Sequence, residues 1–239
     1  MMHAQNDAPA GSAPLPVAGT SDFAPARRMM VLGQITPNGV TDPLLIEAMG
    51  RLPREAFVPP AQQHRAYADA PVPLGEGRFM LQPMVLARMI QLLLPQPGER
   101  ALVLGAGTGY GAALLARMGL EVTAVEADPR LAAVARTTLA AVLPHARPEV
   151  IQADPARGHA EGAPYRVMLI EGVAERLPVA LTNQLGEGGR LALIRGGEGP
   201  VGKGILLRRA GAALGEQWVF ETTATALVPE FAAARGFVF

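Results

Sequence analysis

Apolar and polar positions follow two different patterns along the central part of the chain. Short apolar runs without internal alternation are typical of strands buried on both faces of a sheet, and they occur at residues 101–104, 121–125, 149–152, 167–170 and 190–194. Between and beside these runs, apolar residues recur with helical spacing and predict helices over 84–93, 111–118, 130–143 and 176–185. This alternation predicts an α/β fold with a doubly wound, mostly parallel sheet.

The pattern changes at both ends of this region. Beyond Gly196, the runs 204–208 and 217–222 follow one another without a helical pattern between them, which predicts antiparallel strands at the C-terminal edge of the sheet. Near the N-terminus, Asp42 and Pro43 supply a cap and a first-turn proline for a helix that should end near Gly50.

Three regions follow from this pattern. Residues 1–24 are rich in Ala, Pro, Gly and Ser and are expected to form a disordered N-terminal extension. Residues 25–98 are expected to form a helical and loop region that covers the substrate side, with a short helix over 25–34 and a loop over 75–83. Residues 99–239 are expected to form the α/β core that holds the cofactor.

Composition removes several classes of function. Lys plus Arg equals Asp plus Glu, at 21 each, so the charge favours neither a nucleic-acid nor a membrane partner. The chain has no cysteine, and its histidines show no metal-ligand spacing, so we predict no metal; His64, His145 and His159 are expected to be exposed. The N-terminus lacks a secretory signal, and no apolar run approaches the ~18 residues of a membrane span. We therefore expect a cytoplasmic protein, and a monomer.

A glycine-rich turn follows the central strand. Gly105, Gly107 and Gly109 stand at alternate positions in ALVLGAGTGYG, residues 101–111, just before a predicted helix. Glycine lets a ligand approach the backbone, and the start of the helix offers unpaired N–H groups to it. A dinucleotide site would need its third glycine at the position of Tyr110. The observed spacing is typical of S-adenosylmethionine (AdoMet) methyltransferases and weighs against a nicotinamide oxidoreductase.

The next strand supports a nucleotide-like ligand. It ends at Glu126, 21 residues after Gly105, close to the ~20 expected of an acid that binds ribose hydroxyls. The alternative interpretation of Glu126 is a solvated acid at a strand end.

Four segments together resemble a known family. LPREAFVPPAQQHRAYADAPVPLGEGRFMLQPMVLARM, ALVLGAGTGYGAALLARMG, VTAVEADPRLA and the Gly-Gly-Arg-Leu strand are similar to the protein-L-isoaspartate (D-aspartate) O-methyltransferases, over about residues 40–195. The resemblance implies a Rossmann-like class I AdoMet methyltransferase fold. It also implies methylation of isoaspartyl residues in damaged proteins or peptides, which begins their repair.

The resemblance also implies the cofactor residues. The turn would approach the methionine part of AdoMet, Glu126 with its neighbour Ala127 would lie at the ribose, and Asp154 would face the adenine amino group. Asp154 has an alternative interpretation as a helix N-cap. The turn consists of Gly105, Ala106, Gly107, Thr108 and Gly109.

The acceptor side departs from the family pattern. Leu81 stands where a substrate-contacting serine is expected, and leucine cannot donate a hydrogen bond. Glu171 replaces the usual threonine, and its charge would repel an anionic acceptor unless it is protonated or paired, for instance by Arg195. Val103 replaces an acid before the turn. The substrate-side candidates are Phe79, Leu81, Gln82, Pro83, Glu171 and Arg195.

No residue stands out as a catalytic acid or base. A carboxylate acceptor is already ionised at neutral pH and needs no base, so carboxyl methylation is compatible with this absence. Two alternatives remain open from the sequence: the same fold and cofactor with another acceptor, and a catalytically degenerate AdoMet-binding protein.

Overall fold

A computed structural model describes residues 22–196, 199–224 and 226–233. The predicted disordered extension falls almost entirely on residues 1–21, outside the described residues. Helix α1 begins at the end of the predicted extension, and a π-helical turn at Val31–Ile35 continues it. The helices are α1 (Ala24–Met30), α2 (Pro43–Arg51), α3 (Pro83–Leu92), α4 (Tyr110–Arg117), α5 (Pro129–Val142) and α6 (Val179–Thr182).

The strands form two sheets. A two-stranded hairpin consists of β1 (Val72–Gly75) and β2 (Arg78–Met80). The main sheet has the order β5-β4-β3-β6-β7-β8-β9, parallel from β5 to β7 and antiparallel from β7 to β9. Its strands are β3 (Arg100–Leu104), β4 (Glu121–Glu126), β5 (Glu149–Gln152), β6 (Tyr165–Ala174), β7 (Leu185–Arg195), β8 (Val201–Ala210) and β9 (Ala213–Thr223). The predicted α/β fold with antiparallel C-terminal strands is confirmed.

The central strands are buried on both faces, which is why their apolar runs do not alternate. In β3, Val103 belongs to one core, while Leu102 and Leu104 belong to the core on the opposite face. Val103, which stands where the family pattern has an acid, is fully buried and packs in the core. Parallel pairing brings the C-terminal ends of β3, β4 and β6 to one edge of the sheet, where ligands of such folds bind.

Two predicted elements were wrong. The helix predicted over 176–185 is only the single turn α6, because Pro178 has extended backbone angles and the residue before a proline disfavours helix. The loop predicted over 75–83 contains the hairpin strand β2, whose Met80 and Phe79 pair with Val72 and Pro73. Three residues are too few for strand alternation to be recognised in the sequence.

No helix in the described ranges combines the length and the apolar character needed to cross a bilayer.

The cap predicted for α2 is present and gives a stability test. Asp42 accepts hydrogen bonds from the backbone N–H groups of Leu44 and Leu45, at 2.9 and 3.1 Å. We expect Asp42→Ala to lower the free energy of unfolding by about 1 kcal/mol in urea titrations, because two helix N–H groups lose their acceptor. Thr41→Ala is the matched control and should leave it unchanged. Equal stability of the two variants would contradict the capping role.

Candidate active site

The glycine turn lies at the C-terminal edge of the sheet, between β3 and α4. Gly105, Gly107 and Gly109 all have positive φ angles, of 64°, 56° and 93°. The hydroxyl of Thr108 donates a hydrogen bond of 2.5 Å to the carbonyl of Phe57, which ties the turn to the N-terminal region. The conformation is the one predicted from the spacing.

Glu126 ends β4 beside this turn, and its carboxylate is fully buried. Arg78 of the hairpin binds it through both guanidinium nitrogens, at 2.7 and 2.9 Å, and also donates to the carbonyl of Gly105 at 3.2 Å. The backbone N–H groups of Gly107 and Asp128 donate to the same carboxylate, at 2.7 and 3.0 Å. Each carboxylate oxygen of Glu126 therefore accepts two hydrogen bonds from within the protein.

The space above the turn is also filled by the protein itself. A Cβ atom at Gly105 would lie 2.9 Å from Cγ1 of Val228, and one at Gly107 would lie 3.1 Å from Cδ1 of Leu74. The cavity that remains at the turn has a volume of about 10 Å³, room for about one water molecule. A site for a ligand of nucleotide size usually measures ~300 Å³ or more. The space beside the turn is occupied by Leu74, Phe79 and Met80 of the hairpin and by Val228 of the C-terminal segment.

A larger depression of about 470 Å³ lies elsewhere, at the N-terminal edge of the sheet around Arg100, Glu121 and Glu149. It is far from the turn, and ligands of doubly wound sheets bind at the opposite edge. We therefore place the candidate site at the turn.

The remaining cofactor candidates lie along the same edge. Ala127 follows Glu126 directly, at the end of β4. Asp154 follows β5 and caps the next turn, with Oδ1 accepting from the N–H of Ala156 at 2.8 Å. Its side chain is 46% exposed, so the carboxylate that caps the turn can also reach a ligand in solvent.

The substrate-side candidates divide into two groups. Phe79 and Glu171 line the cavity at the turn. Leu81 is 3% exposed and packs in the core, while Gln82 and Pro83 begin α3. Arg195 pairs with Glu216 of β9 at 2.9 Å. The idea that Arg195 pairs with Glu171 is wrong, because its guanidinium binds the carboxylate of Glu216 instead.

The cation beside Glu171 is instead Arg54, a residue that the sequence analysis did not single out. Arg54 is fully buried and donates to the carbonyls of Ala66 and Leu81, at 2.6 and 2.5 Å. Its guanidinium carbon lies 4.8 Å from the centre of the Tyr110 ring. Burial nevertheless dominates and raises the pKa of Glu171 to about 8, against the opposing positive charge of Arg54.

Arg54, Arg78 and Tyr110 are site residues that were not predicted. Charged residues between prolines or glycines are usually solvated, so nothing local in the sequence marks Arg54 or Arg78 as buried. The position of Tyr110, directly after the turn and leading a helix, was the one available signal.

The sequence was compared with family models and with curated proteins, and both comparisons find methyltransferases. Residues 26–203 match the family model described as protein-L-isoaspartate(D-aspartate) O-methyltransferase. A protein-L-isoaspartate O-methyltransferase of Methylorubrum populi is 43% identical over 183 residues, covering 77% of this chain and 84% of the relative. Protein-L-isoaspartate O-methyltransferase 1 of Rhodopseudomonas palustris is 43% identical over 173 residues, covering 72% of this chain and 70% of that protein.

A solved structure shares the fold. The crystal structure of a protein-L-isoaspartate O-methyltransferase from Plasmodium falciparum, in complex with S-adenosyl-L-homocysteine, superimposes with a TM-score of 0.69 at 18% identity, covering 87% of this chain and 99% of the other. With the family model and the curated relatives spanning most of the sequence, the chain belongs to the protein-L-isoaspartate(D-aspartate) O-methyltransferase family.

Proposed function

We propose that this protein transfers a methyl group from AdoMet to the free α-carboxylate of isoaspartyl residues in damaged proteins and peptides. The observation that carries the proposal is the glycine turn with Glu126 at the same sheet edge, in a chain whose family membership spans residues 26–203. The resulting ester collapses to a succinimide that can reopen to normal aspartate. The proposal includes a monomer acting in the cytoplasm.

The residues at the edge fit AdoMet once the hairpin has moved. The turn from Gly105 to Gly109 would lie against the methionine part, and Glu126 would accept hydrogen bonds from the ribose hydroxyls in place of Arg78. Asp154 would meet the adenine amino group with its exposed carboxylate. The displacement breaks the two hydrogen bonds between Arg78 and Glu126, and the ribose hydroxyls restore donors to the carboxylate.

AdoMet supplies an electrophilic methyl group on its sulfonium. The acceptor is a carboxylate with an ordinary pKa near ~4, which is ionised at neutral pH and attacks without a general base. The protein contributes by holding the acceptor oxygen in line with the methyl group and by excluding water, effects that can reach roughly 7–11 kcal/mol in well-oriented systems. The tightly filled site around the turn is suited to excluding water.

The direct test is methyl transfer to a synthetic peptide. We expect labelled methyl from AdoMet to appear on a peptide that contains one isoaspartyl residue, and none on the same peptide with ordinary aspartate. Calorimetric titration with AdoMet in the same buffer shows that the protein is competent to bind the donor. Protein that binds AdoMet but leaves the isoaspartyl peptide unmethylated would refute the proposed acceptor.

A further inference from the structure

Glu171 lies in an irregular part of β6. Leu169 pairs with Ala192 and Val173 pairs with Ile194, so two extra residues of β6 are accommodated between these pairs. Such bulges re-aim side chains and are common beside active sites. The bulge leaves the Glu171 side chain against the glycine turn, where it lines the same cavity as Tyr110.

Two polar groups in this cavity have no hydrogen-bond partner among the described residues, and Nη1 of Arg54, whose guanidinium lies beside the Tyr110 ring, is a third. Oε1 of Glu171 and the hydroxyl of Tyr110 are both buried and make no hydrogen bond, although the residues are only 7% and 1% exposed. A buried polar group without a partner costs about 1–3 kcal/mol. These groups lie beside the predicted position of the methyl donor, so a polar ligand group that entered the cavity would supply the partners that they lack.

The fold makes specific room for the Glu171 carboxyl group. A Cβ atom at Gly111, in the first turn of α4, would lie 2.6 Å from Cδ of Glu171, so any larger residue there would displace it. The carboxyl group is thus held against the start of α4, next to Tyr110.

The charges around Glu171 come from each element that packs on it. Arg54 in the turn at 54–57, the backbone N–H of Gly111 in α4 and Arg78 of β2 favour its ionised form, and Glu126 of β4 opposes that form. The C-terminal segment contributes Ala226 and Val228, which do not titrate. Burial outweighs these charges and raises the pKa of Glu171 to about 8. Burial also raises the pKa of Tyr110, so both groups carry a proton at neutral pH.

We propose, resting on the isoaspartyl activity above, that Glu171 and Tyr110 bind the acceptor carboxylate by donating one hydroxyl hydrogen each. They supply from β6 and α4 the donors that Leu81 cannot provide. Protonated Glu171 donates to the anionic acceptor, whereas ionised Glu171 has no proton to donate and repels it. Methylation should therefore fall as the pH rises through about 8, because the active form is the protonated one.

The experiment is a pH profile of kcat/KM from about pH 6 to about pH 9.5, with AdoMet and the isoaspartyl peptide. Formation of S-adenosylhomocysteine is the readout, because methyl esters hydrolyse at high pH. We expect kcat/KM of the wild type to fall at least tenfold as the pH rises through about 8 to the top of this range; this fall is the upper limb of the profile. Glu171→Gln keeps a hydrogen-bond donor that does not titrate. This variant should stay active, and its kcat/KM should not fall at high pH. Glu175→Gln changes a neighbouring, half-buried carboxylate, which accepts a hydrogen bond from the N–H of Ala233, and should keep the wild-type profile.

Tyr110→Phe removes only the second donor. We expect it to lower kcat/KM for the peptide at least tenfold through a higher KM, with AdoMet affinity unchanged in calorimetry. A limb that persists in Glu171→Gln, or a wild-type rate that rises with pH, would overturn the assignment while leaving isoaspartyl methylation intact. Absence of methyl transfer at every pH would overturn the proposed function and this assignment together.

Discussion

Replacing Arg78 by alanine is expected to raise the affinity for AdoMet at least about tenfold, or about 1.4 kcal/mol. The guanidinium holds both oxygens of Glu126 and the carbonyl of Gly105. Under the proposed function we expect AdoMet to displace Arg78 from these contacts. Without Arg78, Glu126 is left buried and unpaired, which raises the free energy of the ligand-free protein. In this variant the ribose hydroxyls of AdoMet would donate hydrogen bonds to Glu126. The free energy of binding would therefore become more favourable by the amount that the unpaired carboxylate costs the ligand-free protein. Isothermal titration calorimetry measures the change.

The matched control for Arg78→Ala is Arg190→Ala. Arg190 pairs with Glu99 at 2.5 Å, with side chains only 13% and 15% exposed, at the opposite edge of the sheet. Both substitutions remove an arginine from a largely buried ion pair, and both should lower the thermal stability of the ligand-free protein. Only Arg78→Ala should tighten AdoMet binding. Weaker binding by that variant would show that Arg78 contacts the cofactor instead of competing with it.

Glu126→Ala has its largest expected effect in the Arg78→Ala background. There we expect AdoMet affinity to fall by about 1.5–3 kcal/mol, because charged hydrogen bonds to the ribose hydroxyls are lost. In the wild-type background the loss should be smaller, since removing Glu126 also releases Arg78 from the site. Titrating the four proteins of this double-mutant cycle separates the two contributions.

Glu99→Ala is the corresponding control for Glu126→Ala, because it removes the carboxylate that binds Arg190. It should destabilise the protein and leave AdoMet affinity as it was. If Glu126→Ala bound AdoMet with unchanged affinity in the Arg78→Ala background, Glu126 would not be the ribose ligand.

The parts of the site that could be predicted are those that local sequence determines. The positive φ angles of the glycine turn and the position of Glu126 at a strand end follow from a few adjacent residues and from the parallel arrangement of strands. The C-terminal antiparallel strands also followed from the absence of a helical pattern between two apolar runs.

The side-chain partners could not be predicted, because they depend on contacts between distant parts of the chain. Arg78 and Glu126 are 48 residues apart, and nothing in the sequence says that a hairpin arginine reaches the end of β4. The same holds for Arg54, whose burial depends on the wrapping of the N-terminal region. Glu171 was recognised as a departure, but its protonation depends on burial that only the fold provides.

The nearly filled cavity at the turn has a kinetic consequence. The cavity has room for about one water molecule, so we expect AdoMet association to be limited by opening of the hairpin, with an observed rate that levels off as ligand concentration increases. The guanidinium of Arg78 can pair with Glu126 again as S-adenosylhomocysteine leaves. Closure of the hairpin after release would then oppose rebinding of S-adenosylhomocysteine, because the buried ion pair between Arg78 and Glu126 is restored.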